Sequence, residues 1–148
     1  AEPIKIYFQT ENQKRLMRKA IYYEIFQNHA ALGGFLDNIE REKTKSDDVV
    51  WSFRRFVKYS IRKECYTYYL ANNASWLYQL REASQIHIIY TYLNSAVEEI
   101  ENENRESIKL GVKGYLNIVQ LALEQDTLEK RMMESAVGKK RFFALMNH

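Results

Sequence analysis

The stretch MRKAIYYEIFQNHAALGGFLDNI, residues 17–39, decides the fold of this chain. Within it apolar residues recur at helical spacing, in steps of three, four or seven positions, at Met17, Ile21, Ile25, Leu32, Leu36 and Ile39. This spacing matches the turn of an α-helix and predicts a helix with one buried face. Gly33 and Gly34 lie within the pattern, so we expect the helix to bend or break there.

The remaining sequence favours helices as well, because Pro3 is the only proline and the 148 residues include only 5 glycines. Thr10 and Gln13 form a capping-box pattern, which predicts a helix start after a short extended segment at 4–9. Ser46 is a good N-cap and predicts a second helix that runs to a turn at 72–73. The apolar residues of that helix are Val50, Phe53, Val57, Ile61, Cys65 and Tyr68.

Two further helices follow from the same periodicity. Leu77 opens the third helix, whose inner face consists of Ile86, Ile89, Leu93, Val97 and Ile100. Asn102 or Asn104 is the expected cap of the fourth helix, and Gly138 is expected to end or kink it. The inner face of the fourth helix consists of Ile108, Val112, Tyr115, Val119 and Ala122, and extends to Leu128 and Met132.

These segments predict an all-α fold, an antiparallel bundle of four to six long helices with short loops. A length of 148 residues suits one helical-bundle domain over residues 1–148. Apolar residues make up 46% of the chain and charged residues 28%, which is typical of a globular protein. No apolar run is long enough for a membrane span, and the N-terminus lacks the pattern of a signal peptide. With Cys65 as the only cysteine, we expect a cytoplasmic location.

Several classes of chemistry are disfavoured by what the sequence lacks. No carboxylate stands one turn before any of the histidines, which are His29, His87 and His148. A single cysteine also excludes a cysteine-rich zinc site, and no glycine-rich phosphate loop is present. We therefore expect no metal and no cofactor.

The first function hypothesis is a non-enzymatic binding or regulatory protein. On the second predicted helix, Arg54, Lys58 and Arg62 are four residues apart, so we expect them to form one basic ridge, with Arg55 and Lys63 beside it. The chain has 11 tyrosines, which suit both cores and interfaces, and we expect Tyr66, Tyr69 and Trp76 at a contact surface. The expected partner is a protein, with nucleic acid as the alternative, and we also expect a homo-oligomer.

Two other hypotheses come from different classes. The spacing of Arg81 and His87 resembles the motif of HEPN ribonucleases, although Glu82 follows the arginine where that family often has Asn, Asp or His. The resemblance implies metal-independent RNA cleavage, with His87 as acid or base and Arg81 as electrostatic stabiliser. The third hypothesis is a small-molecule sensor that encloses a ligand among its aromatic residues. The basic and apolar tail at 139–146 is expected to dock on the bundle rather than on a membrane surface.

Overall fold

A computed structural model describes residues 2–41, 57–101 and 104–147, and in these ranges the protein is all-α with no strand. In chain order the helices are α1 (Glu2–Arg41), α2 (Glu64–Asn72), α3 (Ala74–Tyr78), α4 (Ala83–Ile100), α5 (Arg105–Glu124), α6 (Lys130–Val137) and α7 (Lys139–Met146). Residues 57–60 are helical too. In the described residues after α1, the chain is therefore divided into more and shorter helices than its apolar periodicity predicts.

Helix α1 is a single element of 40 residues, about 60 Å long at the usual rise per residue. The predicted extended segment at 4–9 is wrong, because these residues belong to the helix. The Thr10 hydroxyl donates a 3.0 Å hydrogen bond to the carbonyl of Ile6, one turn earlier, instead of capping a helix start. The helix does not break at Gly33 and Gly34, since α1 continues to Arg41.

The predicted inner face of α1 is confirmed. Met17, Ile21, Ile25, Leu32 and Ile39 are buried, and Leu36 is partly buried. The hydroxyl of buried Tyr115 on α5 donates a 3.0 Å hydrogen bond to the carbonyl of Ile25, which ties the two helices together in the core. Contacts of α1 reach α2, α5 and α6, so this helix connects most of the described structure.

The second predicted helix is wrong in its continuity. Residues 61–63 are not helical, and α2 begins only at Glu64. Val57 is buried as predicted, but Tyr68 is 58% exposed because the helix restarts in a different register. The predicted start and first part of this helix, with Ser46, Val50 and Phe53, lie outside the described residues.

The third and fourth predicted helices are also interrupted. A turn at 79–82 separates α3 from α4, and a turn at 125–129 separates α5 from α6. Two of the predicted helix ends, at Asn104 and Gly138, are confirmed. The side chain of Asn104 accepts hydrogen bonds from the backbone N–H groups of Glu106 and Ser107, and Gly138 ends α6 with a φ of +90°.

Among the described helices, α4 and α5 share the most extensive contact. Small residues at this contact, Gly111 and Ala96, let the two backbones approach closely. Helix α7 packs on α6 and α5, with Leu145 buried, so the tail docks on the helical body as expected. Among the described residues no helix combines the length and the apolar character that crossing a membrane requires.

Candidate binding groove beside Trp76

A buried carboxylate, Glu82, organises one end of the molecule. It lies in the turn before α4, and its side chain has no solvent exposure. Its Oε2 accepts hydrogen bonds from the Arg18 guanidinium at 2.5 and 3.0 Å and from the Tyr22 hydroxyl at 2.7 Å. Both donors come from α1, so this carboxylate fixes the turn before α4 against the first helix.

The charges of this cluster stabilise one another. Burial alone raises the pKa of a carboxyl group, but the hydrogen bonds from Tyr22 and Arg18 hold the pKa of Glu82 below its ordinary value. Burial lowers the pKa of Arg18 in turn, and the bond to Glu82 more than offsets this, so its pKa is raised. The pair is therefore ionised at neutral pH.

Glu129 joins the same cluster from the turn between α5 and α6. Its Oε1 lies 3.1 Å from Arg18 Nη2 and 3.3 Å from Arg81 Nη2. The backbone N–H of Glu129 donates a 2.9 Å hydrogen bond to the oxygen of Tyr22. Arg18 is thus held between two carboxylates, and the turns on either side of it are fixed in place.

An open groove of about 560 Å³ lies beside this cluster. Its wall on α1 is mainly cationic, and its other wall is mainly apolar. The lining residues are Glu11, Lys14, Arg15, Arg18, Trp76, Gln79, Leu80 and Met132. The groove therefore offers positive charge and an aromatic surface to the same ligand.

The three cations of the groove differ in how they are paired. Arg18 is held by Glu82 and Glu129, and Lys14 donates to Glu11 at 3.4 Å and to Gln79 at 3.2 Å. Arg15 is exposed, and within the described part of the chain no carboxylate lies at ion-pair distance from it. Among the described residues, Arg15 is therefore the cation of the groove without a carboxylate partner.

The predicted basic ridge on the second helix does not form as expected. Lys58 lies in the helical residues 57–60, and it is paired with Glu101 at 2.5 Å. Arg62 and Lys63 lie in the non-helical segment 61–63, so Arg62 is not one helical turn from Lys58. This part of the prediction is wrong. The remaining members of the ridge, Arg54 and Arg55, lie outside the described residues.

Two polar residues of α1 account for the break in that helix. Buried Asn28 accepts from the backbone N–H of Arg62 and donates to its carbonyl, both at 2.7 Å. Buried Glu24 accepts from the backbone N–H groups of Cys65 at 2.9 Å and Tyr66 at 3.1 Å. These bonds satisfy both backbone groups of Arg62 and the N–H groups of Cys65 and Tyr66, which a continuous helix would satisfy internally. The first turn of α2 is therefore capped by a carboxylate from another helix.

The predicted tyrosine-rich surface is partly occupied by contacts within the chain. Tyr66 stacks on Tyr90 with ring centroids 4.2 Å apart, and Tyr69 makes an edge contact with Tyr68 at 5.2 Å. Tyr66, Tyr69 and Trp76 are all partly buried against the core. Of these three, Trp76 lines the groove, so it alone is brought together with the cations of α1.

Arg81 and His87, the pair of the ribonuclease hypothesis, have separate partners. Arg81 bonds to Glu129 and donates a 2.9 Å hydrogen bond to the carbonyl of Asp126. His87 is exposed, and its Nδ1 lies 3.3 Å from the Tyr66 hydroxyl. The two side chains therefore face different neighbours, and their catalytic roles stay predictions.

The buried carboxylates Glu24 and Glu82 were not anticipated from the sequence as organising residues. Glu24 and Asn28 are four residues apart within the apolar pattern of α1, and a polar pair on a buried face is the signal that identifies them. Glu82 has no such signal, because it lies in a turn. In the described ranges no cluster of three histidine, cysteine or acidic residues suits a metal ion.

A second depression, of about 230 Å³, lies between α1 and residues 57–60 and is largely apolar. It is lined by Ala30, Ala31, Gly34, Phe35, Asn38, Val57 and Ser60. Its size suits a small ligand only, and the sensor hypothesis stays a prediction.

Comparison of the chain with protein-family models, with curated proteins and with solved structures finds no significant match.

Proposed function

We propose that this chain is a non-enzymatic binding module, which binds an acidic and apolar segment of a protein partner in the groove beside Trp76. The observation that carries the proposal is the position of Arg15, which has no carboxylate partner in the described part of the chain, in the same groove as Trp76, Leu80 and Met132. An anionic side chain of the ligand would pair with Arg15, and an apolar one would pack on the indole.

The helices would form an antiparallel bundle and a single domain over residues 1–148, which would act in the cytoplasm. The bonds among Arg18, Glu82 and Glu129 support a rigid groove, because they fix α1 and both neighbouring turns before any ligand arrives. A preformed groove loses little conformational entropy when it binds.

A protein segment is favoured over nucleic acid by the pairing of the cations. A polyanion needs several cations that are free to neutralise phosphates. Here Lys58 is paired with Glu101, and both Arg18 and Arg81 are paired with Glu129. Within the groove, Arg15 is the cation that has no carboxylate partner among the described residues, and such a cation beside an apolar wall suits a segment that carries few charges between apolar side chains.

Fluorescence anisotropy with labelled peptides tests the proposal. The probes are short peptides that alternate Asp or Glu with Phe, Leu or Trp, together with the same peptides carrying Lys in place of the acids. We expect the acidic peptides alone to bind, with an affinity that falls as salt is added. Arg15→Glu and Trp76→Ala should each weaken binding by about tenfold or more.

Lys140→Glu is the matched control, because Lys140 is an exposed cation that does not line the groove. It should leave peptide affinity unchanged. Equal binding of acidic and basic peptides, or equal loss in Arg15→Glu and Lys140→Glu, contradicts the proposal. Tighter binding of an oligodeoxythymidine than of any peptide favours nucleic acid instead. Cleavage of RNA in EDTA that is lost in His87→Ala supports the ribonuclease hypothesis.

A further inference from the structure

The first turns of α1 expose an unusual number of large apolar side chains. Ile4 is 62% exposed, Tyr7 61% and Phe8 65%. A helix places residues separated by three or four positions on the same face, so these side chains form one surface, which we call the N-terminal stripe. The rings of Tyr7 and Phe8 contact each other, with centroids 5.8 Å apart.

The N-terminal stripe has no partner within the described part of the chain. The first buried residue among the described part of α1 is Met17, and the first hydrogen bond from this part of α1 to a residue outside the helix is made by Lys14, to Gln79 in the turn before α4. An isolated helix of about three turns is only marginally stable in water. An apolar face on such a helix points to a binding surface.

We infer that the N-terminal stripe is a self-association surface, which pairs with the same stripe of a second copy around a two-fold axis near Phe8. Two features support a second copy as the occupant. The stripe residues Ile4, Tyr7 and Phe8 are apolar or aromatic, and the helix carries no charge between residues 6 and 10, so an apolar surface is the one that suits them. The same stripe on another copy supplies such a surface, and a two-fold axis makes it complementary to itself.

The buried area fits a reversible dimer. With the exposures above, two stripes and the neighbouring aliphatic stems would bury roughly 1,000 Å² in total, near the lower limit of specific interfaces. We therefore expect a weak dimer that dissociates on dilution. This inference does not depend on the proposed groove, because the residues of the stripe do not line it.

Sedimentation velocity over protein concentrations from about 1 µM to about 1 mM tests the inference. The wild-type chain should pass from monomer to dimer in this range. Phe8→Ser should weaken the dimer by about tenfold or more, because it removes apolar area from both copies at once. Ile6→Ser is the matched control, since Ile6 is 58% exposed on the same helix but points away from the stripe.

A disulfide experiment tests the two-fold arrangement separately. In a Cys65→Ser background, Phe8→Cys should form a disulfide-linked dimer under mild oxidation, because residues at the axis face their own copies. Ile6→Cys should link far more slowly. A chain that stays monomeric throughout the concentration range overturns the inference, as does a dimer that Phe8→Ser and Ile6→Ser weaken equally. Loss of peptide binding in Arg15→Glu concerns the proposed groove only and leaves the inference of self-association unaffected.

Discussion

The carboxylate of Glu24, in the middle of α1, accepts a 2.9 Å hydrogen bond from the backbone N–H of Cys65. The two residues are 41 positions apart in the chain, and the bond caps the first turn of α2 from another helix. The other oxygen of Glu24 accepts from the backbone N–H of Tyr66 and, at 2.6 Å, from the buried Tyr90 hydroxyl. A single buried side chain therefore holds α1, α2 and α4 together.

Replacing Glu24 should destabilise the fold strongly. Glu24→Ala leaves two backbone donors and the Tyr90 hydroxyl without their acceptor, and we expect a loss of about 3 kcal/mol in the free energy of unfolding. Urea denaturation followed by circular dichroism measures it. Glu40→Ala is the control, because Glu40 is exposed and its pair with Lys113 should contribute about 0.5 kcal/mol or less. Similar losses in the two variants contradict the capping role.

The Glu82 cluster should make stability depend on pH in a defined direction. The pKa of Glu82 is lowered in the folded state from its ordinary value of 4.5, so its contribution is fully present above pH 4.5. It is lost as the pH falls through the lower, folded-state pKa. Glu82→Gln should therefore cost about 2 kcal/mol at pH 7, and the difference from wild type should shrink below pH 4.5. Urea titrations at several pH values measure this difference, and a constant difference down to acid denaturation contradicts the assignment.

Two glycines should respond to alanine with opposite signs. A Cβ atom at Gly111 would lie 3.0 Å from Glu99 Cβ and 3.4 Å from Ala96 Cα, at the close contact of α4 with α5. At Gly34 an added Cβ meets nothing within 4 Å. Gly111→Ala should therefore destabilise the protein by about 1 kcal/mol, whereas Gly34→Ala should stabilise it by about the same amount through helix propensity. Thermal unfolding of both variants checks the signs, and stabilisation by Gly111→Ala excludes the close contact.

Cys65 should be unreactive in the folded protein. Burial, with a smaller effect of Glu24, raises the pKa of its thiol to about 12. Because the thiolate is the reactive form, iodoacetamide should alkylate it slowly at pH 8 and much faster in urea. Mass spectrometry of timed samples gives the two rates. Equal rates in the folded and unfolded protein contradict this environment.

Helical periodicity correctly predicted the features that depend on residues close together in the sequence. The stripe of α1 from Met17 to Ile39 and the cap at Asn104 depend on neighbours in the sequence, and both are confirmed. The breaks could not be predicted in the same way. Asn28 holds the backbone of Arg62, and Tyr22 holds that of Glu129, so each break depends on a residue far away in the chain.

In the candidate site as well, residue types could be predicted from the sequence, whereas contacts between distant residues could not. Trp76 was expected at a contact surface, but its position in one groove with the cations of α1 depends on the turn that Glu82 anchors. The part of the basic ridge from Lys58 to Arg62 was predicted wrongly because the prediction assumed one continuous helix through these residues. Charge spacing is informative only where the helix that carries it is unbroken.

The most direct test of the binding groove is the ¹⁹F resonance of Trp76 in protein labelled with 5-fluorotryptophan, assigned with Trp51→Phe. On titration with the acidic and apolar peptides, this resonance should shift and saturate in the wild-type chain, and the shift should be lost in Arg15→Glu. A resonance that does not move, or that moves equally in Arg15→Glu, contradicts the groove as the binding site.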